Sequence, residues 1–251
     1  MHEQHNDTNQ SKTWDIFPKS GSESFSPQEL EIPLSEVARY AGGSRYQMDS
    51  EMETMTRSIL NQAISLCRPA FVYTAQKILE AVPDKGFLIE NNILIPSPPD
   101  IPSDTVSVVS VISTIGPNLE EEILSLNAKG NYLEMLYLDA SGVALLEAVV
   151  QQAHGRISEL AQNVGLYCGC QWAPGYEKTS LEDQIILFDL VDASAIGVHL
   201  MQSGVMYPFK SLSSWIPLTR YPVAPVNRNK CRYCSLKGCN YRIAHSVIKE
   251  V

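Results

Sequence analysis

The sequence predicts an α+β protein, helices and antiparallel strands mixed in one fold, and three observations carry that reading. Amphipathic helical stretches and β-branched runs are interspersed without the strand–helix–strand rhythm of a doubly wound sheet. Residues 106–115 are dense in Val, Ile, Ser and Thr, the composition of a central strand. No phosphate loop and no GxGxxG is present, which argues against an ordinary nucleotide-dependent enzyme. Over 251 residues, 44% hydrophobic and 19% charged, the chain has enough apolar surface for a substantial core.

The elements follow in order. Residues 1–27 are polar and rich in Asn, Gln, Ser and Thr, so they read as a flexible N-terminal arm. LSEVARYAGG reads as a short helix with Ser35 as N-cap, ended by Gly42 and Gly43. Residues 49–66 form a second helix, whose buried face is marked by Met52, Met55, Ile59, Ala63 and Leu66 at helical spacing. Residues 87–95 read as a hairpin about Asn91 and Asn92, which tolerate the left-handed backbone of a tight turn. Pro117 stops the strand 106–115, and Asn118 with Glu121 gives a capping signal for a helix through Leu126. Residues 139–165 are the longest helical segment, closed by Gly165. Residues 166–171 read as a strand. Past the loop WAPGYEKTS, a helix begins near Leu181, with Thr179/Glu182 and Ser180/Asp183 as overlapping capping pairs. Residues 196–201 and 211–218 read as two antiparallel strands joined through Ser203, Gly204 and Pro208.

Charge and targeting signals narrow the function classes. The formal net charge is −9, which argues against a general nucleic-acid binder. From Arg220 onward seven Lys or Arg stand against one Glu, a local +6, leaving −9 − 6 = −15 on the remainder. An acidic body thus ends in a basic, cysteine-bearing tail, residues 221–251. No apolar run approaches the ~20 residues a membrane helix needs, and the first thirty residues contain no apolar secretory core. Six cysteines, three of them clustered near the end, do not look like a secreted disulfide framework. The expectation is a cytoplasmic protein with reduced thiols and no membrane partner.

Two constellations carry chemistry. In Gln171 to Gln184, Pro174 and Gly175 form a turn where glycine permits close backbone approach to a ligand, and Tyr176 sets a phenol beside it. In the tail, Cys231, Cys234 and Cys239 lie within nine residues, flanked by Arg228, Lys230, Arg232 and Lys237, a field that favours thiolate. A zinc or iron–sulfur site needs four ligands, and His245, Cys168 or Cys170 could complete the set. No Ser/His/Asp order and no paired carboxylates at a hydrolytic spacing are present. Cys67 lies among apolar residues and reads as buried and inert.

Taken in order, IPLSEVARYAGG, LDASG, APGY, LEDQ, IGV and PFKSLS resemble the activation domain of cobalamin-dependent methionine synthase, and more closely its stand-alone relatives. The resemblance covers residues 30 to 220 or so, and it implies an activation-like domain over 28–220. It further implies a C-shaped fold with a twisted antiparallel sheet flanked by helices. It implies S-adenosylmethionine binding, cobalamin carried on a corrinoid-binding protein or methyltransferase partner, and a role in reactivation as a methyltransferase-associated component. Ala173, Pro174, Gly175 and Tyr176 match the RxAPGY element that lines the ligand site, and Gln171 stands where that element has arginine. An arginine there can pair bidentately with a ligand carboxylate; a neutral amide cannot. A different class of function is a zinc-knuckle-like nucleic-acid module, for which Cys-x2-Cys-x4-Cys-x5-His with Tyr233 and Tyr241 gives the spacing and the stacking rings.

Overall fold

A computed structural model describes residues 16–98, 101–175, 179–223, 236 and 238–242. In chain order the elements are β1 (Ser20–Ser24), α1 (Leu34–Gly42), α2 (Ser50–Leu66), β2 (Ala70–Val82), β3 (Gly86–Ile89), β4 (Leu94–Pro96) and β5 (Thr105–Thr114). Then come α3 (Asn118–Lys129), α4 (Tyr132–Asn163), β6 (Tyr167–Cys168), α5 (Gln184–Leu190), β7 (His199–Leu200), β8 (Met206–Tyr207) and β9 (Ser211–Thr219). The chain is α+β, as its pattern predicts. Seven strands make one sheet in the order β4-β3-β2-β5-β9-β6, with β1 also on β2, and all its pairings are antiparallel. The long β2 offers its first half to β1 and its second half to β3, past a bulge between Ile78 and Glu80. The sheet curls into a half-barrel.

Both faces of the sheet are covered, so side chains of either parity are buried. Phe71, Tyr73, Val109, Val111, Ile216 and Leu218 face the helical layer, where Ile59 and Ala63 of α2 and Leu145, Val149 and Ala153 of α4 meet them. Their neighbours Val72, Val108, Ile112 and Trp215 point the other way, onto Phe87, Ile89 and Ile95 of the curled hairpin and Leu187 of α5. The hydroxyls on the second face are paired: Ser110 Oγ donates to Gln76 Oε1 at 3.0 Å, and Ser213 Oγ to Gln184 Oε1 at 3.1 Å.

Several local expectations hold. The helix expected over 49–66 is present as α2, and the structure adds its cap, Asp49, whose Oδ1 accepts the Met52 N–H at 2.9 Å. Asn91 and Asn92 take φ of 63° and 59° between β3 and β4. Gly43 ends α1 at φ 89°, and Ser180 with Asp183 forms a capping box before α5. Other expectations are corrected. The N-caps of α1 and α3 are Pro33 and Pro117, two residues before the expected Ser35 and one before the expected Asn118, because a proline donates no N–H and can precede the first turn without leaving a donor unpaired. α4 begins at Tyr132 rather than Asp139, the Gly130 turn folding it straight back from α3. Strand 211–218 does not pair with 196–201: β9 lies between β5 and β6, and β7 pairs with β8. Residues 16–27 are not part of an arm, since β1 pairs with β2 and Phe17 is only 2% exposed against Tyr73. Residues 1–15 lie outside the described residues.

Two glycines give opposite expectations. Gly86 sits at φ +138° with a built Cβ only 2.0 Å from the Ile95 carbonyl oxygen, whereas Gly155, inside α4, has nothing within 4 Å. Gly86→Ala should therefore cost more than about 2 kcal/mol. Gly155→Ala should stabilise by about 0.5–1 kcal/mol through helix propensity. Urea unfolding midpoints of both variants check the pair.

Candidate functional site

The chain leaves α4 through Gly165, at φ +72°, and the Leu166 N–H returns to the Ala161 carbonyl at 2.9 Å, closing the helix as its sequence predicts. It then runs along β9. Tyr167 and Cys168 pair with Thr219 and Leu218, and the Gly169 N–H donates to the Pro217 carbonyl at 2.9 Å. Trp172 and Trp215 exchange backbone hydrogen bonds of 3.0 and 2.8 Å. From Gly169 to Trp172 is 172 − 169 = 3 steps, against 217 − 215 = 2 on β9, so one extra residue bulges here. Cys170 and Gln171 occupy that bulge, a device that re-aims side chains beside sites. Gly169 is required because a Cβ would stand 2.8 Å from the Pro217 ring. The His154 ring of α4 meets the Gly169 carbonyl at 3.1 Å.

Trp172 is the anchor of the loop that follows. Its ring packs on Trp215 at 5.9 Å, and its indole N–H donates to the Pro96 carbonyl at 3.0 Å. Ala173 comes next, its carbonyl accepting the Thr179 hydroxyl at 2.9 Å, which ties the two ends of the loop together. Pro174 is buried and Gly175 exposed, in the left-handed region at φ +80° beside the Leu181 side chain. Gln171 is half-buried at the bulge. Tyr176 lies outside the described residues. Being antiparallel to β9, the chain beyond Trp172 heads toward the Ser211 end of that strand.

At that end, segments far apart in sequence converge on Lys210. Its ammonium donates to Asp139 Oδ1 of α4 at 2.6 Å, and its backbone N–H donates to Glu120 Oε1 of α3 at 2.7 Å. The LDASG string supplies the geometry. Gly142 leaves room for the Lys210 stem and for Leu119, which a Cβ would approach to 3.2 and 2.9 Å. Ser141 Oγ turns back to the Tyr137 carbonyl at 2.7 Å. LEDQ ends in Gln184, which donates to the Gly204 carbonyl at 2.9 Å and accepts from Ser213. Burial pushes the Glu120 carboxyl above its ordinary value, opposed by the Lys210 and Phe209 backbone N–H groups and the nearby ammonium. Lys210 and Gln184 lie inside the strings PFKSLS and LEDQ, whereas nothing marks Glu120, which stands in a run of three glutamates.

The cysteines divide by environment. Burial raises the Cys67 and Cys168 thiols to about 12, so both are thiols at neutral pH. Cys170 is exposed at the bulge. Cys239 is half-exposed in a short turn docked on the end of α1. There the Ser44 N–H donates to the Asn240 carbonyl at 2.7 Å, Arg39 Nη1 donates to the Tyr241 carbonyl at 2.9 Å, and the Tyr40 and Tyr241 rings lie 6.0 Å apart. Cys231, Cys234 and His245 lie outside the described residues. Among the described residues no group of three or more His, Cys, Asp or Glu is arranged to hold a metal ion.

No protein-family model and no curated protein matches the chain. The fold nevertheless has a counterpart among solved structures. The crystal structure of the MetH reactivation domain bound to AdoHcy matches it with a TM-score of 0.60, over 79% of this chain and 78% of that chain, at 15% identity. The chain therefore has the fold of a MetH reactivation domain, as the ordered motifs imply. No helix among the described residues is long and apolar enough to cross a membrane.

The raised Glu120 value sets a pH dependence. A carboxyl whose native value lies above its unfolded one binds its proton more tightly when folded. It therefore contributes stability below the unfolded value that is lost as pH rises through the native one. Glu120→Gln keeps the acceptor for the Lys210 N–H, so it should flatten this fall, read as urea midpoints from acid to neutral pH.

Proposed function

We propose that this chain is an accessory protein for a corrinoid-dependent methyl-transfer system, supporting reactivation or methylation of a cobalamin carried on a partner protein. The observation that carries the reading is convergence. In a fold shared with a MetH reactivation domain, LDASG and PFKS meet through Lys210 and Asp139, while LEDQ and the Ala173–Pro174–Gly175 loop flank the same strand β9. The partner's corrinoid supplies the cobalt chemistry. This chain supplies binding and orientation, which is where a protein contributes to cofactor-borne reactions. It acts at most as a methyltransferase-associated component.

Within this reading, Gln171, Ala173, Pro174, Gly175 and Tyr176 line a site for S-adenosylmethionine. The exposed Gly175 backbone lets a ligand approach, and Thr179 holds the loop closed. Gln171 offers an amide where a guanidinium would pair with the ligand carboxylate, so binding is weak. Gln171→Arg should tighten S-adenosylmethionine about tenfold by restoring a charge-assisted pair, and titration calorimetry on both forms decides. Unchanged affinity would mean that position 171 does not face the carboxylate. Tyr176→Ala should lower reactivation of a cobalamin-loaded partner while the thermal transition stays in place.

For the tail, we propose that Cys231, Cys234 and Cys239, with His245, take zinc or an iron–sulfur centre. The close spacing and the cationic neighbours support this, and the docked turn holds Cys239 against the fold. Because 79% of the chain matches the reactivation-type fold, the knuckle reading is confined to the tail. Anaerobic purification with metal analysis should give either iron with sulfide or zinc at about one equivalent. Neither metal, together with all three thiols reacting freely in the native protein, would remove the tail site.

A further inference from the structure

The sheet has a gap in its ladder where the ligand loop departs, and a side chain from the helical layer fills it. Tyr167 and Cys168 lie opposite Thr219 and Leu218, so the same register sets Gly169 opposite Pro217. The Gly169 N–H donates to the Pro217 carbonyl at 2.9 Å, which makes this a hydrogen-bonded pair, of the kind that exchanges two bonds between ordinary residues. Proline has no N–H, so the return bond to the Gly169 carbonyl cannot form. Gly169 is buried, where an unpaired carbonyl is costly. His154 Nε2 of α4 lies 3.1 Å from that oxygen. A carbonyl only accepts, so Nε2 carries the proton and donates. One turn further along α4, Ser158 hydrogen-bonds the Cys168 side chain, so this face of the helix reaches β6 at two successive turns.

We infer that His154 is a positioning residue for the loop: it supplies from α4 the donor that Pro217 lacks, and so fixes the bulge that aims Cys170 and Gln171. That the loop serves S-adenosylmethionine rests on the reading under Proposed function. The Gly169 carbonyl is the last backbone group before the bulge, and the ladder resumes at Trp172, whose N–H donates to the Trp215 carbonyl at 3.0 Å. Gln171 lies between these two fastenings, so the direction of its side chain depends on both. Position 169 cannot be stiffened by a side chain of its own, because a Cβ would stand 2.8 Å from the Pro217 ring. A glycine there is free to turn its peptide plane, and the imidazole is what stops it from turning. Glycine, proline and histidine thus act as one device drawn from β6, β9 and α4.

Native-state hydrogen exchange on the full chain, read by NMR, tests the hold without any ligand. His154→Leu should speed exchange of the Gly169 and Trp172 amides by about tenfold, the worth of one hydrogen bond. The Val109 amide, in the middle of the sheet between Ala75 and Ile216, should keep its wild-type rate. His154→Gln, which offers an amide N–H at similar reach, should restore protection. Pro217→Ala added to His154→Leu should restore it too, because it returns the missing N–H to β9. Titration calorimetry with S-adenosylmethionine should follow the same order, His154→Leu binding about fivefold more weakly than wild type and both rescued forms close to it. Unchanged exchange, or a rise that Val109 shares, would overturn the inference. A local rise with unchanged affinity would strike the positioning role and leave the functional reading standing. Wild-type protein that binds no S-adenosylmethionine would remove the proposed ligand site and the positioning role together, whatever the exchange rates.

Discussion

Burial of both faces of the central sheet is the constraint from which the rest of the structure follows. β5 and β9 are covered on either side, so no residue near their centres can turn a polar group to solvent. Yet they carry Ser110, Thr114, Ser211 and Ser213. The molecule answers by pairing each hydroxyl internally, through Gln76, Gln184 and the Ser211–Thr114 contact of 2.9 Å. An unpaired hydroxyl here would cost about 1–3 kcal/mol. The pairing therefore does more than fill bonds: Gln184, held by Ser213 on one side and Gly204 on the other, fixes where α5 and the β7–β8 ribbon sit over the sheet.

The candidate site grows out of the same strand. β9 gives Trp215 to anchor Trp172 and ends beside Lys210, so one strand sets both the loop and the charged corner. Pro217 fits there for a related reason. In an antiparallel strand a residue's N–H and C=O point the same way, and the Pro217 carbonyl faces Gly169. The missing donor is thus turned to the short edge strand β6, where the bulge has already begun to break the ladder. A fold shared at 15% identity says nothing by itself about activity, which is argued from these residues.

What the sequence made legible was local. The Asn91–Asn92 turn, Gly165 and the Ser180–Asp183 box each act through neighbours a few residues away, and each is where its pattern places it. β2 escaped because KILEAV suits a helix as well as a strand; pairing with β1, β3 and β5 decides it. SGSES has no strand propensity, and it becomes β1 because β2 offers an edge and Gly21 fits beneath the Tyr73 ring. The segments that converge on β9 were readable as an ordered set of short strings. That Asp139 and Lys210 join, 71 positions apart, was not, since nothing local marks either as the other's partner.

The turn at Asn240 and Tyr241 has a consequence for how the chain is assembled. Arg39 and Tyr241 are 202 positions apart, among the most distant contacts in the molecule. On a growing chain the end of α1 is made early, and the Ser44 N–H waits for the Asn240 carbonyl, synthesised far later. Closing so long a span carries the entropy of a large loop, and forming the sheet first shortens the open span and lowers that cost. A rearrangement that moves the Asn240–Tyr241 turn would strip the end of the first helix of these partners at once.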